Sequence, residues 1–184
     1  MNADLSDARI LLVDDVMENI QVAGTILRNR GYHLNIARDG KHALDVVEKS
    51  PPDLILLDIM MPVMDGFECC QHLKKNPSTR DIPIIFLTGN TQTDDIVKGF
   101  EIGAVDYIFK PFNAPELLSR INTHLSLRYT QLRLVELSRQ VSRYVSPHVF
   151  SAIFAGEKSM AIETVEKPLT LFFSDIVNFT TRAE

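Results

Sequence analysis

One stretch of this sequence decides the fold, Leu54-Ile55-Leu56-Leu57-Asp58-Ile59-Met60-Met61-Pro62-Val63-Met64-Asp65-Gly66. Its apolar run predicts a buried β-strand that ends at the Asp58 carboxylate, and the Pro and Gly that follow predict a loop. In open α/β folds, ligands bind beyond the carboxyl ends of the strands, where this carboxylate would lie. Asp58 is therefore a candidate functional residue, and the residues that end the other strands test that interpretation.

Strand and helix patterns alternate from the start of the chain to residue 113. Short apolar runs predict strands over residues 9–13, 32–37, 54–58, 82–87 and 106–109. Apolar residues at helical spacing predict helices over residues 17–29, between Gly40 and Pro51, and over residues 67–75 and 93–102. This alternation predicts an α/β class fold, a doubly wound five-stranded parallel sheet with the flavodoxin-like strand order 2-1-3-4-5.

Complementary polar groups end four of the predicted strands. They are Asp14 and Asp15, Asp58, Thr88, and Lys110. A single Asp at a strand end is more often a helix cap or a turn residue, but parallel strands bring all these ends to one edge. Converging carboxylates repel one another and need a counter-charge, and Mg²⁺ prefers such oxygen ligands.

The same groups suit phosphoryl transfer. A metal held by Asp15 and Asp58, with Asp14 in support, would polarise a phosphoryl donor. Asp58 is then a candidate nucleophile that forms an aspartyl-phosphate, and Lys110 supplies a positive charge for the phosphoryl oxygens. The Thr88 hydroxyl can donate a hydrogen bond to the same group. A phosphatase or hydrolase is the weaker alternative, because it leaves Thr88 and Lys110 without a role.

Residues 8–113 resemble the receiver domain of two-component response regulators. Besides the opening stretch, the resemblance is carried by Val13-Asp14-Asp15, Leu87-Thr88-Gly89 and Tyr107-Ile108-Phe109-Lys110-Pro111-Phe112. It implies that Asp58 accepts a phosphoryl group from a histidine kinase and that Asp14 and Asp15 are the acid pair. It also implies that the backbone carbonyl of Met60 is a metal ligand.

The resemblance further implies a conformational switch. Thr88 would move toward the phosphoryl group and Tyr107 would turn into the vacated space, changing the surface of the fourth helix, fifth strand and fifth helix. A Tyr107 that never moves is the alternative. The Lys110–Pro111 peptide bond is expected to be cis, a state accessible mainly before proline.

Residues 116–146 contain no Gly and no Pro and predict one long helix. Two apolar stripes follow heptad spacing along it. One contains Leu118, Ile121, Leu125, Leu132 and Val135, and the other contains Leu127, Leu134, Leu137, Val141 and Tyr144. We expect a two-stranded parallel coiled coil that makes the protein a homodimer. The alternative is a helix that folds back on its own domain.

Residues 140–184 resemble the entry into a class III nucleotide cyclase domain. The resemblance is carried by Arg143-Tyr144-Val145-Ser146-Pro147-His148-Val149 and by Leu169-Thr170-Leu171-Phe172-Phe173-Ser174-Asp175-Ile176-Val177-Asn178-Phe179-Thr180. It implies that Asp175 is one of two metal-binding aspartates and that Ile176 provides a backbone carbonyl. An Asp175 that only caps a helix is the alternative. The second metal aspartate would lie downstream, so we expect a fragment without cyclase activity of its own.

These observations predict a receiver domain over residues 1–115, a signalling helix over 116–146 and the start of a cyclase domain over 147–184. The predicted function is to relay phosphorylation of Asp58 through a dimeric helix to a nucleotide cyclase output. The alternative is a stand-alone receiver and dimerisation protein that acts by phosphorylation-dependent protein–protein interaction.

Composition narrows the remaining classes. The chain is 45% hydrophobic with a net charge of −5 and has no clustered basic face, which argues against nucleic-acid binding. It shows neither an apolar run of membrane-helix length nor a signal-peptide pattern, so we expect no membrane contact and a cytoplasmic location. Two adjacent cysteines, Cys69 and Cys70, are predicted to be reduced thiols. The five scattered histidines form no metal-ligand spacing and suggest no chemistry.

Overall fold

The structure is a computed structural model that describes residues 7–89, 93–143 and 170. The strands are β1 Arg9–Val13, β2 His33–Ala37, β3 Leu54–Asp58, β4 Ile84–Thr88 and β5 Asp106–Phe109. The helices are α1 Met17–Asn29, α2 Gly40–Lys49, α3 Gly66–Lys75, α4 Thr93–Ile102 and α5 Ala114–Val141. All strand pairs are parallel, and the order is β2-β1-β3-β4-β5. The predicted fold class and strand order are confirmed.

The sheet separates two hydrophobic cores. Successive side chains of a strand point to opposite faces, so Leu11 and Leu57 enter one core while Leu12 and Leu56 enter the other. Helices α2, α3 and α4 cover the first face, and α1 with the first turns of α5 covers the second. Strands β3 and β4 are buried at every residue. This explains why their sequences are continuous apolar runs without alternation.

Strand β4 begins two residues later than the apolar run predicts. Ile82 and Pro83 precede it, because Pro83 has no N–H for the ladder and contributes only its carbonyl, which accepts from the Ile55 N–H at 3.0 Å. The strand instead includes Thr88 at its other end. This extension places the Thr88 side chain at the carboxyl edge of the sheet.

Helix α5 differs from its prediction at both ends. It begins at Ala114, because Pro115 is tolerated in a first turn, where its missing N–H would have no helical partner. It ends at Val141, where the Arg143 N–H donates to Gln140 O at 3.2 Å and the Ser142 hydroxyl donates to Arg139 O at 2.8 Å. Such competing and tighter bonds end a helix without Gly or Pro. Residues 144–146 of the predicted helix lie outside the described residues.

Both cysteines belong to α3 and are buried in the core on its inner face. Burial raises the pKa of the Cys69 thiol to about 12 and that of Cys70 to about 11. They are free thiols, as the sequence predicts, and their raised pKa values make them unreactive at neutral pH.

None of the helices in the described part of the chain is long and apolar enough to cross a membrane.

The predicted cyclase residues Asp175 and Ile176 lie outside the described residues, as does the rest of their motif apart from Thr170.

Candidate functional site

Three carboxylates meet at the carboxyl edge of the sheet. Asp14 directly follows β1 and Asp58 ends the neighbouring β3, so the parallel register places them side by side. The side chains of Asp14 and Asp58 are 0% and 7% exposed, whereas Asp15 is exposed. Each residue offers an oxygen, and these oxygens all lie within 4.8 Å of one another. The acid cluster that the sequence predicts is therefore assembled by the fold.

Lys110 brings one positive charge to two of these acids. Its Nζ lies 2.6 Å from Asp14 Oδ2 and 2.9 Å from Asp58 Oδ2, and its side chain is 16% exposed. The residue follows β5, two strands away from Asp58, and its backbone N–H donates to Thr88 O at 2.8 Å. The Lys110–Pro111 peptide bond is cis, as expected. One ammonium group thus faces two buried carboxylates.

The pKa of Asp58 is raised above its usual value. Burial is the largest cause and favours the neutral acid, and the nearby charge of Asp14 acts in the same direction. The Lys110 ammonium and the Met60 backbone N–H oppose this by donating hydrogen bonds to the ionised form, but they do not cancel it. The site therefore disfavours the ionised nucleophile, and a further cation beside Asp58 would favour it.

Asp14 is oriented by groups that the sequence did not suggest. Its Oδ1 accepts from the Val16 N–H at 2.9 Å and from the Asn19 amide at 3.0 Å. Its Oδ2 is buried and has the Lys110 ammonium as its partner, at 2.6 Å. Asn19 lies in the first turn of α1. The only signal for it in the sequence is that an amide side chain follows the Asp14-Asp15 pair by about one helical turn.

The residues present fit a hard divalent cation. Three carboxylates whose oxygens lie within 4.8 Å of one another, with one lysine as their shared positive charge, are the kind of donor set that Mg²⁺ or Ca²⁺ takes. Met60 is 79% exposed, and its backbone N–H donates a hydrogen bond to Asp58.

The loop between β3 and α3 packs directly behind Asp58. A Cβ at Gly66 would overlap the Asp58 carbonyl oxygen and lie 2.9 Å from Ile59 Cα, so only glycine fits there. Asp65 caps α3 by accepting from the Glu68 N–H at 2.8 Å. Val63, at φ 70°, occupies the left-handed region that a β-branched residue rarely adopts. The Pro-to-Gly stretch is therefore shaped by close backbone approach to the site.

The predicted switch residues lie on the neighbouring strands. Thr88 ends β4 next to Asp58 in the sheet and is 4% exposed. Tyr107 lies in β5, opposite Phe86 in the register, and is also 4% exposed. Its ring is buried between Phe86 and Phe100, with centroid distances of 5.4 and 5.2 Å. The fold thus brings Thr88 to the acid cluster and buries Tyr107 one strand away.

A second polar cluster links β5 to α5, and the sequence did not reveal it. The Asp106 carboxylate accepts from the Tyr107 N–H at 2.8 Å, from Arg120 Nη1 at 2.7 Å and from His124 Nε2 at 3.1 Å. Burial would raise the pKa of Asp106, but these hydrogen bonds and the Arg120 charge lower it overall. Arg120 also pairs with Glu116 at 3.1 Å. His124, which suggested no chemistry, anchors the helix.

The fold and the acid cluster together define the class of α/β signalling domains with an acidic pocket at the carboxyl edge of a parallel sheet. Residues 10–122 match the family described as the response regulator receiver domain. The chain belongs to this family. Receiver domains are phosphorylated by histidine kinases and typically bind Mg²⁺ at such an acidic pocket.

Curated relatives share the receiver and extend well beyond it. The chain is 49% identical over 122 residues to a probable cyclic di-GMP phosphodiesterase of Vibrio cholerae, a match that covers 66% of this chain and 27% of that protein. It is 40% identical over 133 residues to the response regulator PleD of Caulobacter vibrioides, covering 71% of this chain and 29% of that protein. The matched part is less than a third of either relative.

Solved structures show the same architecture. A putative response regulator from Chloroflexus aurantiacus superposes with a TM-score of 0.64 at 33% identity, covering 65% of this chain and 98% of that one. The chemotaxis response regulator CheY4 of Vibrio cholerae superposes with a TM-score of 0.61 at 33% identity, covering 64% of this chain and 98% of that one.

Proposed function

We propose that this protein is a cytoplasmic response regulator that accepts a phosphoryl group on Asp58 from a histidine kinase. The observation that carries the proposal is the enclosure of one nearly buried carboxylate by two further acids and one lysine. Asp14, Asp15, Asp58 and the Met60 carbonyl would hold Mg²⁺. When bound, the ion would neutralise charge on the transferring phosphoryl group.

The chain's own groups account for the remaining chemistry. An Asp58 oxygen attacks the phosphorus, the bond from phosphorus to the kinase histidine nitrogen breaks, and the imidazole leaves with a proton. Lys110 is already within 2.9 Å of Asp58 Oδ2 and would pair with a phosphoryl oxygen. The Thr88 hydroxyl would donate to another oxygen, and Tyr107 would move in response.

A small-molecule phosphoryl donor tests the assignment of Asp58. Acetyl phosphate with Mg²⁺ should add the mass of one phosphoryl group to the wild type and none to Asp58→Asn. Asp45→Asn is the matched control, because it removes an exposed carboxylate from α2 and should be labelled like the wild type. Equal labelling of the Asp58 variant would disprove the assignment, and labelling that EDTA does not reduce would disprove the Mg²⁺ requirement.

The chain is divided, in this proposal, into a receiver domain over residues 1–115, a signalling helix over 116–146 and the start of a cyclase domain over 147–184. The signalling helix connects the receiver to the output. Ile121 and Leu125, of the first apolar stripe, are buried against the sheet. The second stripe stays exposed, at 54% for Leu127, 60% for Leu134 and 46% for Leu137. These three residues continue to Val141 at heptad spacing, so they support a seam for a second copy of this chain.

Sedimentation equilibrium measures this association directly. The chain should sediment as a dimer at micromolar concentrations, and a phosphorylated sample should show whether Asp58 changes the equilibrium. A monomer over the whole concentration range would argue against the dimer and leave the receiver assignment intact.

The proposed output is a class III nucleotide cyclase, supported by the sequence Leu169–Thr180 that surrounds Asp175. The matches cover only 27% and 29% of the two relatives, so their own output activities do not transfer to this chain. The test uses the full-length protein with Mg²⁺ and either ATP or GTP. Cyclic nucleotide should form, Asp175→Asn should abolish it, and Asp58→Asn should alter its rate. Absence of product from both nucleotides would favour the alternative, a receiver that acts through protein–protein interaction.

A further inference from the structure

A series of aromatic rings joins the site to α4. Phe67 of α3 meets Phe86 of β4 edge-on at 5.2 Å, and Phe86 meets Tyr107 of β5 at 5.4 Å. On α4, Phe100 contacts Tyr107 edge-on at 5.2 Å, and the Lys98 ammonium lies 4.2 Å from the centre of the Phe67 ring. Contacts of this kind contribute about 0.5–1.5 kcal/mol each. They hold α4 in place at both ends of the series.

Gly99 lies between these two contacts, and its missing side chain leaves the space that Tyr107 fills. A Cβ at residue 99 would overlap the Tyr107 hydroxyl oxygen, lie 2.7 Å from Tyr107 Cζ and lie 3.0 Å from Phe86 Cε2. Real Cβ atoms essentially never approach other atoms below 3.0 Å. Glycine inside a helix is less favourable than alanine, and the Gly99 backbone does not require it, because its φ lies outside the left-handed region. The benefit of glycine here is therefore the space for the ring.

We propose that Gly99 is a positioning residue that makes the buried state of Tyr107 available. With any side chain at residue 99, the ring cannot occupy its site between Phe86 and Phe100 while Lys98 and Phe100 keep their contacts. Residue 99 then sets the balance between a buried and a displaced Tyr107. This part of the inference depends on packing alone.

The consequence for Asp58 rests on the proposed function. In that proposal phosphorylation draws Tyr107 into the space that Thr88 vacates, so a substitution that drives the ring out toward solvent must disfavour phosphorylation by the same factor. Gly99→Ala should therefore lower the affinity of the Asp58 site for a phosphoryl mimic. An ordinary helical glycine would respond differently, because its replacement by alanine would stabilise the helix and leave the site unchanged.

The position of the ring is measured by ¹⁹F NMR on the full chain labelled with 3-fluorotyrosine. The sequence has four tyrosines, and the Tyr107 signal is the one lost in Tyr107→Phe. In the wild type it should be protected from a soluble paramagnetic agent, and in Gly99→Ala it should be broadened without any phosphoryl donor. Gly24→Ala is the matched control, because Gly24 is also a buried helical glycine but its added Cβ meets only Leu34 Cδ2, at 3.3 Å.

A double-mutant cycle covers the case in which Gly99→Ala folds poorly. The loss of stability caused by Gly99→Ala should largely disappear in a Tyr107→Ala background, where the overlapping ring is absent and only the 3.0 Å approach to Phe86 Cε2 remains. A loss of the same size in both backgrounds, or a folded Gly99→Ala whose Tyr107 signal stays protected, would overturn the inference.

Beryllofluoride with Mg²⁺ then tests the link to Asp58. It should bind Gly99→Ala about five-fold or more weakly than the wild type, the lower end of typical coupling between sites, and should bind Gly24→Ala like the wild type. Equal affinity for all three proteins would overturn the link. Beryllofluoride that binds none of them, with Tyr107 still displaced in Gly99→Ala, would instead count against the proposed function of Asp58.

Discussion

The two halves of α5 share one uninterrupted helix but have opposite surroundings. In the first half, Leu117, Ile121 and Leu125 are completely buried against the sheet. In the second half, Leu134 is 60% exposed and Val135 is 67% exposed. Leu134 follows Leu125 by nine residues, which at about 100° per residue places it on roughly the opposite side of the helix. The helix therefore packs on the sheet through its first turns and carries exposed apolar side chains on its later turns.

The hydrogen bonds of the helix change at the same place. Arg120 and His124 hold the first half to Asp106, and Arg128 Nη1 donates to Asp81 O at 3.0 Å where the burial ends. Beyond residue 129, the described residues of α5 are exposed with the exception of the half-buried Ser138. The anchoring side chains thus mark how far the domain extends along the helix.

The largest effect should follow from removing a buried side chain in the first half. Ile121→Ala leaves a cavity beneath the sheet and should lower the free energy of unfolding by about 2–4 kcal/mol. Urea denaturation followed by circular dichroism measures it. Leu132→Ala is the control at a position that is 53% exposed, and it should change stability by less than about 0.5 kcal/mol. Equal losses would mean that both halves pack alike.

A smaller, pH-dependent effect is expected at the polar anchor. Because hydrogen bonds lower the native pKa of Asp106 below its unfolded value of about 3.9, its ionised form stabilises the fold above that value. This stabilisation is lost as the pH falls through the lower native pKa. Asp106→Asn should therefore reduce stability by about 1–2 kcal/mol at neutral pH. The difference from the wild type should shrink in acid.

Urea denaturation of both proteins from neutral pH to below pH 4 checks this expectation. Asp45→Asn, which removes an exposed carboxylate of α2, is the control and should follow the wild type throughout. A difference between Asp106→Asn and the wild type that stays constant into acid would mean that the Asp106 charge does not hold the helix.

A still smaller effect is expected where the two halves meet. Arg128→Met keeps the apolar stem but removes the hydrogen bond to Asp81 O, which should reduce stability by about 0.5–1 kcal/mol. The backbone amides from residue 126 to 134 should exchange faster with deuterium, while those near Ile121 stay protected. Unchanged exchange in this segment would show that Arg128 does not determine where the anchored part ends.

The smallest change in monomer stability should come from the exposed half itself. Leu134→Lys and Val135→Lys each replace a side chain that is mostly exposed, so each should alter the unfolding free energy by less than about 0.5 kcal/mol. The two variants should differ in how strongly they self-associate. Sedimentation should show a weakened dimer for the Leu134 variant and a nearly normal one for Val135, which lies off the proposed seam. The reverse result would mean that the dimer forms through the first apolar stripe, which contains Val135, and not through the second.

Much of the site could be predicted from the sequence because strand ends are local features. Apolar runs of four residues predict where β1 and β3 stop, and parallel strands bring those stops to one edge. Asp14, Asp15, Asp58 and Thr88 were found in this way. Asn19 and His124 were not, since each meets its partner through a turn or a helix whose side-chain direction no local pattern reveals.

Gly99 shows the same limit more sharply. In the sequence it is an isolated glycine within a helical pattern, which only lowers expectation of a helix. Its importance depends on Tyr107 and Phe86, which reach it from two different strands. Only a folded chain places these three residues together.

The sequence by itself determined the α/β class, the strand order and the identity of the acids at the carboxyl edge, because periodicity and chain connectivity constrain all three. The tertiary structure decided where the charge and the apolar surface go. It placed the Lys110 ammonium between Asp14 and Asp58, and it buried Ile121 and Leu125 while Leu134 and Leu137 stayed exposed. The sheet covers the first stripe only as far as Leu125, since Leu132 and Val135 of the same stripe are exposed, and long-range packing settles where that cover ends.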